Sequence, residues 1–322
     1  MNTSVRSLFA IFNTLPDRLR RRADLRSDSP ARRPIRVRLK KPTAHAVHRA
    51  VCRLAGSGDM TVSGAFGAIE GSVDDYAILE TYARSRTWCP VENDFFATFF
   101  AARGGGTYLD IGANIGLTTI PVARNPRISC LAFEPEPSNF RYLRRNVDAN
   151  CRNGNVELFS LALFDRRSRL EFQLSPSNKG DHRVRPAAAD GDFAEQAWPV
   201  IGVDAERLDD VLRGRPLAAP LAAKIIAQGA EAHIVAGGAE TLSRAEALVI
   251  EIYPYALRRM GGDVEALLHF FGRQFREAAM IAGGSATAPV WHPVAAIVDA
   301  LAGRIATSAV SSADYVHVLL RA

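Results

Sequence analysis

The chain has 322 residues, 48% hydrophobic and 23% charged, a balance that excludes a disordered, collagenous or disulfide-stapled scaffold. Its four cysteines (Cys52, Cys89, Cys130, Cys151) are widely spaced with no CxxC pair, which fits a reducing compartment and gives no disulfide or zinc framework. No apolar run reaches the ~18 residues of a membrane-spanning helix, so a soluble, cytoplasmic protein is expected. The formal charge of +6 is uneven: residues 1–54 hold 14 Lys and Arg against Asp17, Asp24 and Asp28, and the remainder is net acidic.

Residues 1–50 read as a basic, flexible tail. Pro30, Pro34 and Pro42 interrupt any long amphipathic helix and aromatic residues are not interleaved with the charge, so a solvated arm is favoured over nucleic-acid or membrane binding. Residues 51–103 read as a partly helical lead-in. Its best helix is Val91 to Ala102, where Phe95, Phe96, Phe99 and Phe100 form a stripe suited to packing on a sheet. From residue 104 to 322 strands and helices alternate. Tyr108–Ile111 and Ile128–Phe133 are buried strands, with a short helix from about Leu117 to Arg124 between them. Ser138–Asn150 is a helix, Val156–Phe159 continues the sheet, and Leu170–Leu174 alternates like a strand with one exposed face. A polar loop spans Ser175 to Asp192. Strands at Val200–Val203, Ala222–Ala227 and Ala247–Ile252 alternate with helices near Ala205–Leu212, Gly229–Ala236 and Val264–Phe271. Asp314–Leu320 closes the chain as a late, antiparallel strand. The pattern predicts an α/β, doubly wound (Rossmann-like) sheet with its ligand at the carboxyl ends of the strands.

The strongest motif is Tyr108-Leu109-Asp110-Ile111-Gly112-Ala113-Asn114-Ile115-Gly116, a buried strand running into a glycine-spaced turn and a helix. Gly112 and Gly116 allow a tight turn and close ligand approach. Asn114 stands where a dinucleotide-binding GxGxxG would place its second glycine, which disfavours an NAD-dependent dehydrogenase. Asp110 at the strand end suits a cationic partner. Glu134, 24 positions later at the end of the next strand, suits the vicinal hydroxyls of a ribose. An amino group on Asp110, glycines for close approach and a ribose on Glu134 describe S-adenosylmethionine.

These residues, with Ala132-Phe133-Glu134-Pro135-Glu136-Pro137 and the helix reaching Asn146, carry a resemblance to the FkbM family of S-adenosylmethionine-dependent methyltransferases. Asn178-Lys179-Gly180, Arg207-Leu208-Asp209-Asp210, Lys224-Ile225, Gln228-Gly229-Ala230-Glu231 and Gly237-Gly238-Ala239 extend it in the right order. The resemblance implies the seven-stranded class I methyltransferase sheet and O-methylation of a hydroxyl on a sugar or small-molecule natural product. The cofactor-binding set is then Asp110, Gly112, Asn114, Gly116 and Glu134. One departure stands out: the family's K-I-D acid is Ile226 here, which raises the alternative of a catalytically degenerate S-adenosylmethionine-binding protein.

A hydroxyl acceptor benefits from a base that takes its proton. Glu231, Lys224 and Asp181 are the candidate catalytic residues, with Glu251 and His182 as further positions. His233 reads as a surface or packing histidine and Lys224 as a partner of an acid. No HxH, HxxxH or carboxylate cluster argues for a metal.

Overall fold

The computed structural model describes residues 42–186, 191–308 and 314–322. The N-terminal part comprises α1 (Pro42–Leu54), β1 (Asp59–Gly64), β2 (Gly67–Ser72), α2 (Ile78–Ser85) and α3 (Pro90–Ala101). Next come β3 (Gly106–Ile111), α4 (Thr119–Ala123), β4 (Ile128–Phe133), α5 (Pro137–Asn150) and β5 (Val156–Phe159). Four strands follow without a long helix: β6 (Ala162–Leu163), β7 (Ser168–Gln173), β8 (Arg183–Val184) and β9 (Val200–Glu206). Alternation resumes with α6 (Leu208–Val211), β10 (Leu221–Ile225), α7 (Glu231–Gly237), α8 (Ala239–Leu242), β11 (Ala245–Ile252), α9 (Pro254–Met260) and α10 (Val264–Gln274). The C-terminal part is β12 (Glu277–Ala282), β13 (His292–Pro293), α11 (Val294–Thr307) and β14 (Val316–Arg321).

The main sheet has the order β13-β12-β14-β11-β10-β3-β4-β5. β5, β4, β3, β10 and β11 are parallel, and β14 lies antiparallel between β11 and β12. This is the doubly wound seven-stranded sheet that the sequence implies, with the two-residue β13 added at one edge. Central strands alternate between two cores, as the period of two requires. Ala222, Ala247, Val249 and Leu319 pack with Phe96, Phe99, Phe100 and Tyr108. Leu109, Ile111, Ala223, Ile225, Leu248 and Leu320 pack on the opposite face. The phenylalanine stripe of α3 is therefore core packing. From β3 the chain crosses to β4 on one side and, later, to β10 on the other. That reversal opens a crevice at the strand ends, where the glycine turn lies.

Three features differ from the sequence reading. Leu170–Leu174 does form a strand, but β7 belongs to a separate sheet of order β6-β9-β7-β8, which packs Phe172, Val184 and Val203 against the main core. The lead-in contains a β1–β2 hairpin that helical patterning did not suggest; its register pairs Gly64 with Gly67 and Val62 with Ile69. The tail boundary at residue 50 is also too late. Helix α1 starts at Pro42 and buries His45, His48 and Arg49, because an amphipathic face finds a partner only after the hairpin and α2 have folded beside it. The tail before residue 42 lies outside the described residues, as do residues 187–190 of the polar loop.

Arg49 fastens α1 to the body by donating to the carbonyls of Val73 and Asp75, with its guanidinium 4.3 Å from the centre of the Tyr76 ring. Hydrogen bonds from a buried charged group contribute about 1.5–3 kcal/mol. Arg49→Ala is expected to lower the unfolding free energy by about that amount, read as a reduced urea midpoint with an unchanged slope; an unchanged midpoint would mean that α1 does not contribute to the cooperative unit.

Candidate functional site

The turn after β3 is built almost wholly from internal contacts. The amides of Gly112 and Ala113 donate to the Phe133 carbonyl at 3.0 and 2.9 Å. The Asn114 amide donates to Glu134 Oε2 at 2.9 Å, Ile115 to the Asn114 side chain at 2.9 Å, and Gly116 to the Ala113 carbonyl at 2.9 Å. Every amide from Gly112 to Gly116 is thus taken up within the fold. Gly112 has φ +80°, and a Cβ there would lie 2.0 Å from the Ile226 carbonyl, so only glycine lets β10 end against the turn. Gly116, at φ +94°, sits against Leu143 of α5 and faces packing rather than the crevice.

Asp110 and Lys224 are direct neighbours in the register of β3 and β10. Lys224 Nζ lies 3.0 Å from Asp110 Oδ1 and donates to the Gly112 carbonyl at 2.6 Å. Thr118 and Thr119 hydroxyls donate to Asp110 Oδ2, each at 2.7 Å. Asp110 is fully buried and both its oxygens are engaged. In this arrangement it braces the turn, and it is not among the residues that line the cavity. Lys224 reaches the cavity wall and is the partner of an acid there.

Above the turn lies a cavity of about 890 Å³. Glu134 is on its wall, each oxygen taking one backbone amide, from Asn114 and Glu136. Burial pushes its carboxyl up to about 7. Each carboxylate oxygen has a second lone pair, so the group can still accept two ligand hydroxyls. Asn114, at φ 50°, donates through Nδ2 to the Lys179 carbonyl at 2.8 Å, and Asn139 donates to the same oxygen at 3.0 Å. The Asn178-Lys179-Gly180 segment is thereby tied over the glycine turn. The donor set fits a ribose-bearing, cationic ligand.

The acids and histidines proposed for proton transfer separate clearly. Glu231 is fully buried beneath the loop after β10 and accepts the amides of Ala227 and Gly229 at 2.8 Å each. Burial and the nearby Glu251 raise its carboxyl. It braces the loop and is not on the cavity wall, so its expected catalytic role is not supported by its position. Asp181 is on the wall, paired with Arg183. His182 Nδ1 accepts the Ser175 amide at 2.9 Å, and burial lowers its pKa to about 4. A neutral ring with Nδ1 engaged carries its proton on Nε2, so His182 can donate to a ligand but not take its proton. His233 stacks on Phe164 and pairs with Asp165, as a packing histidine does.

The far end of the cavity holds residues that motif reading did not bring together: Cys89, Glu92, Glu251, Tyr253 and His317. His317 Nδ1 lies 2.5 Å from Glu92 Oε1 and Nε2 lies 3.6 Å from Glu251 Oε2. Burial opposes its charge, yet the two carboxylates hold its pKa up at about 9. Glu251 Oε1 also accepts from Gln228 Nε2 at 2.9 Å. The one sequence signal was a histidine inside the otherwise apolar run of β14.

Two outcomes follow from this geometry. Lys224→Ala strands Asp110 as an unpaired buried charge and is expected to cost about 3–5 kcal/mol in denaturant unfolding; a loss under 1 kcal/mol would remove the pair from its structural role. Glu134 has a folded pKa above the ordinary 4.5, so its burial costs stability that grows as pH rises from 4.5 through 7. If ribose hydroxyls bind its ionised form, S-adenosylhomocysteine affinity should rise roughly tenfold between pH 6 and 8. Calorimetry on Glu134→Gln should show weaker binding with that rise abolished, whereas a pH profile matching the parent's would place the ribose elsewhere.

Comparison with known proteins points the same way. The Methyltransferase FkbM domain matches residues 110–276, just over half of the chain. The 2-O-methyltransferase NoeI of Sinorhizobium fredii is 30% identical over 155 residues, which cover 44% of this chain and 61% of NoeI. Among solved structures, EvdMO1 aligns over 72% of this chain and 41% of its own, with 17% identity and a TM-score of 0.31. TYW2 from M. jannaschii, solved in complex with AdoMet, aligns over 82% of this chain and 85% of its own, with 12% identity and a TM-score of 0.40. The chain thus spans under two thirds of the length of NoeI and of EvdMO1. Among the described residues no helix is long and apolar enough to cross a membrane. With the glycine turn, the strand-end Glu134 and the Lys224 and Gln228-Gly229-Ala230-Glu231 blocks all inside the matched region, the chain belongs to the FkbM methyltransferase family.

Proposed function

We propose that the chain transfers a methyl group from S-adenosylmethionine to a hydroxyl of a sugar or small-molecule natural product. The observation that carries this reading is the single cavity joining Glu134 and the glycine turn at one end to Glu251 and His317 at the other. The 2-O-methyltransferase relative supports a hydroxyl as the acceptor.

S-adenosylmethionine, when bound, supplies an electrophilic methyl on a sulfonium, so the protein's task is chiefly positioning. Glu134 holds the ribose, and Asn114 and Asn139 keep the segment around Lys179 closed over it. Apolar walls from Ile115, Phe133 and Leu163 exclude water from the site. Trp88, Tyr253 and Tyr315 at the far end offer faces on which a sugar ring stacks. Glu251 is the group placed to accept the hydroxyl proton: it walls the cavity, while Gln228 and His317 fix its carboxylate.

Ile226 supports the second reading, a protein that binds S-adenosylmethionine without transferring its methyl. It lies just beyond β10 on the cavity wall, where it offers packing and no charge. An assay of S-adenosylhomocysteine release with a panel of hydroxylated sugars separates the two. The first reading expects turnover by the parent, and Glu251→Gln should lower kcat by about 10²–10⁴ with S-adenosylhomocysteine affinity kept. Cofactor binding with no turnover on any acceptor, restored by Ile226→Asp, would establish the second.

A further inference from the structure

We propose that Cys89, Glu92 and His317 form a binding site for a divalent transition metal of the zinc type at the acceptor end of the cavity. Helix α3 sets the first two in place: Cys89 occupies its N-cap with φ 40°, and Glu92 follows three positions later on the same face. Strand β14 brings His317 to them from 225 residues away. One donor atom from each residue falls within 4.8 Å of the others, and all three side chains are buried.

Two further observations point to a ligand. Glu92 Oε2 is buried with no hydrogen-bond partner, although Glu92 is only 2% exposed. A buried carboxylate oxygen left in that state calls for a partner, and a cation supplies one. The His317 ring, moreover, is held as metal-binding histidines are: Nδ1 faces the cluster while Nε2 faces a carboxylate, Glu251. Such an outer carboxylate fixes the tautomer and raises the basicity of the coordinating nitrogen.

The donor set selects the ion. One thiolate, one imidazole and one carboxylate suit zinc or cobalt and are poor ligands for magnesium or calcium, which prefer all-oxygen shells. Three protein ligands leave a fourth tetrahedral position, as in catalytic rather than structural sites. All three residues wall the cavity, so that position is open to an acceptor oxygen. Metal uptake displaces two protons to solvent, one from Cys89 Sγ and one from His317 Nδ1. The cluster's net charge is unchanged by that exchange, so no new buried charge is created. Coordination would make the acceptor hydroxyl more acidic, with Glu251 beside it to take the proton; this last role rests on the transferase reading, while metal binding itself does not.

Titrating the chelator-treated protein with Co²⁺ tests the site through its absorption spectrum. One Co²⁺ per chain is expected, with intense tetrahedral visible bands and a thiolate-to-cobalt charge-transfer band in the near ultraviolet. Cys89→Ser should lose the charge-transfer band. Glu251→Gln, which leaves the three ligands in place and removes the charge of the outer carboxylate, should weaken Co²⁺ affinity about 10- to 100-fold. Binding of S-adenosylhomocysteine by each variant confirms that it is folded. A parent that binds S-adenosylhomocysteine but takes up no Co²⁺ overturns the proposal, leaving a Glu92–His317–Glu251 ion-pair cluster. A charge-transfer band that survives in Cys89→Ser overturns it equally. Stoichiometric Co²⁺ binding by a chain without turnover supports the metal site and counts against the transferase reading instead.

Discussion

The pairing of Lys224 with Asp110 is the contact around which the ligand end of the sheet is organised. The parallel register of β3 and β10 sets the two residues side by side at the middle of the sheet. A buried ion pair is stable only when its remaining donors and acceptors are satisfied. Two threonine hydroxyls and the Gly112 carbonyl meet that need, and in doing so they fix both the start of α4 and the curvature of the glycine turn. Gly112 in turn admits the Ile226 carbonyl, so the ends of two neighbouring strands and the floor of the cavity follow from one charge pair. The strand-end aspartate is held in place by the same contacts.

The cavity above that floor concentrates carboxylates. Glu134 and Glu251 stand on its wall with Glu92, and Glu231 lies just beneath. They are partnered in two ways. Glu134 and Glu231 take backbone amides, and their carboxyls are raised because amides only partly offset burial. Glu92 and Glu251 share one imidazole. The cavity's two ends differ in the groups they present: Glu134 beside the glycine turn at one, and Glu92, Glu251 and His317 at the other.

Elements outside the sheet complete the walls of the cavity. The β1–β2 hairpin is keyed to α5 through Asn146, whose side chain accepts the Glu70 amide and donates to the Glu70 and Ile115 carbonyls. The same asparagine thus joins the hairpin to the glycine turn. The small β6-β9-β7-β8 sheet carries Asp181 and Arg183 to the cavity rim. These parts have little regular patterning of their own, and their stability comes from what they cover.

The sequence by itself determined the sheet, its doubly wound sense and the position of the ligand crevice. Buried parallel strands have a strong apolar signature, and a strand–glycine–helix turn has few structural solutions. It also made Glu134 a candidate, because a strand-end acid next to that turn is a local relation, and the structure puts that residue on the cavity wall. The fate of Asp110, Lys224 and Glu231 was decided only by tertiary structure. Whether a buried charge faces a ligand or another residue depends on strand register, which pairs positions 114 residues apart. The hairpin was hidden in a lead-in whose alternation is short and glycine-rich, and α1 was hidden because its buried face exists only against that hairpin and α2. The cluster of Cys89, Glu92 and His317 was the least legible of all: no spacing rule links α3 to β14, and only the antiparallel insertion of the last strand beside β11 brings them within reach of one another.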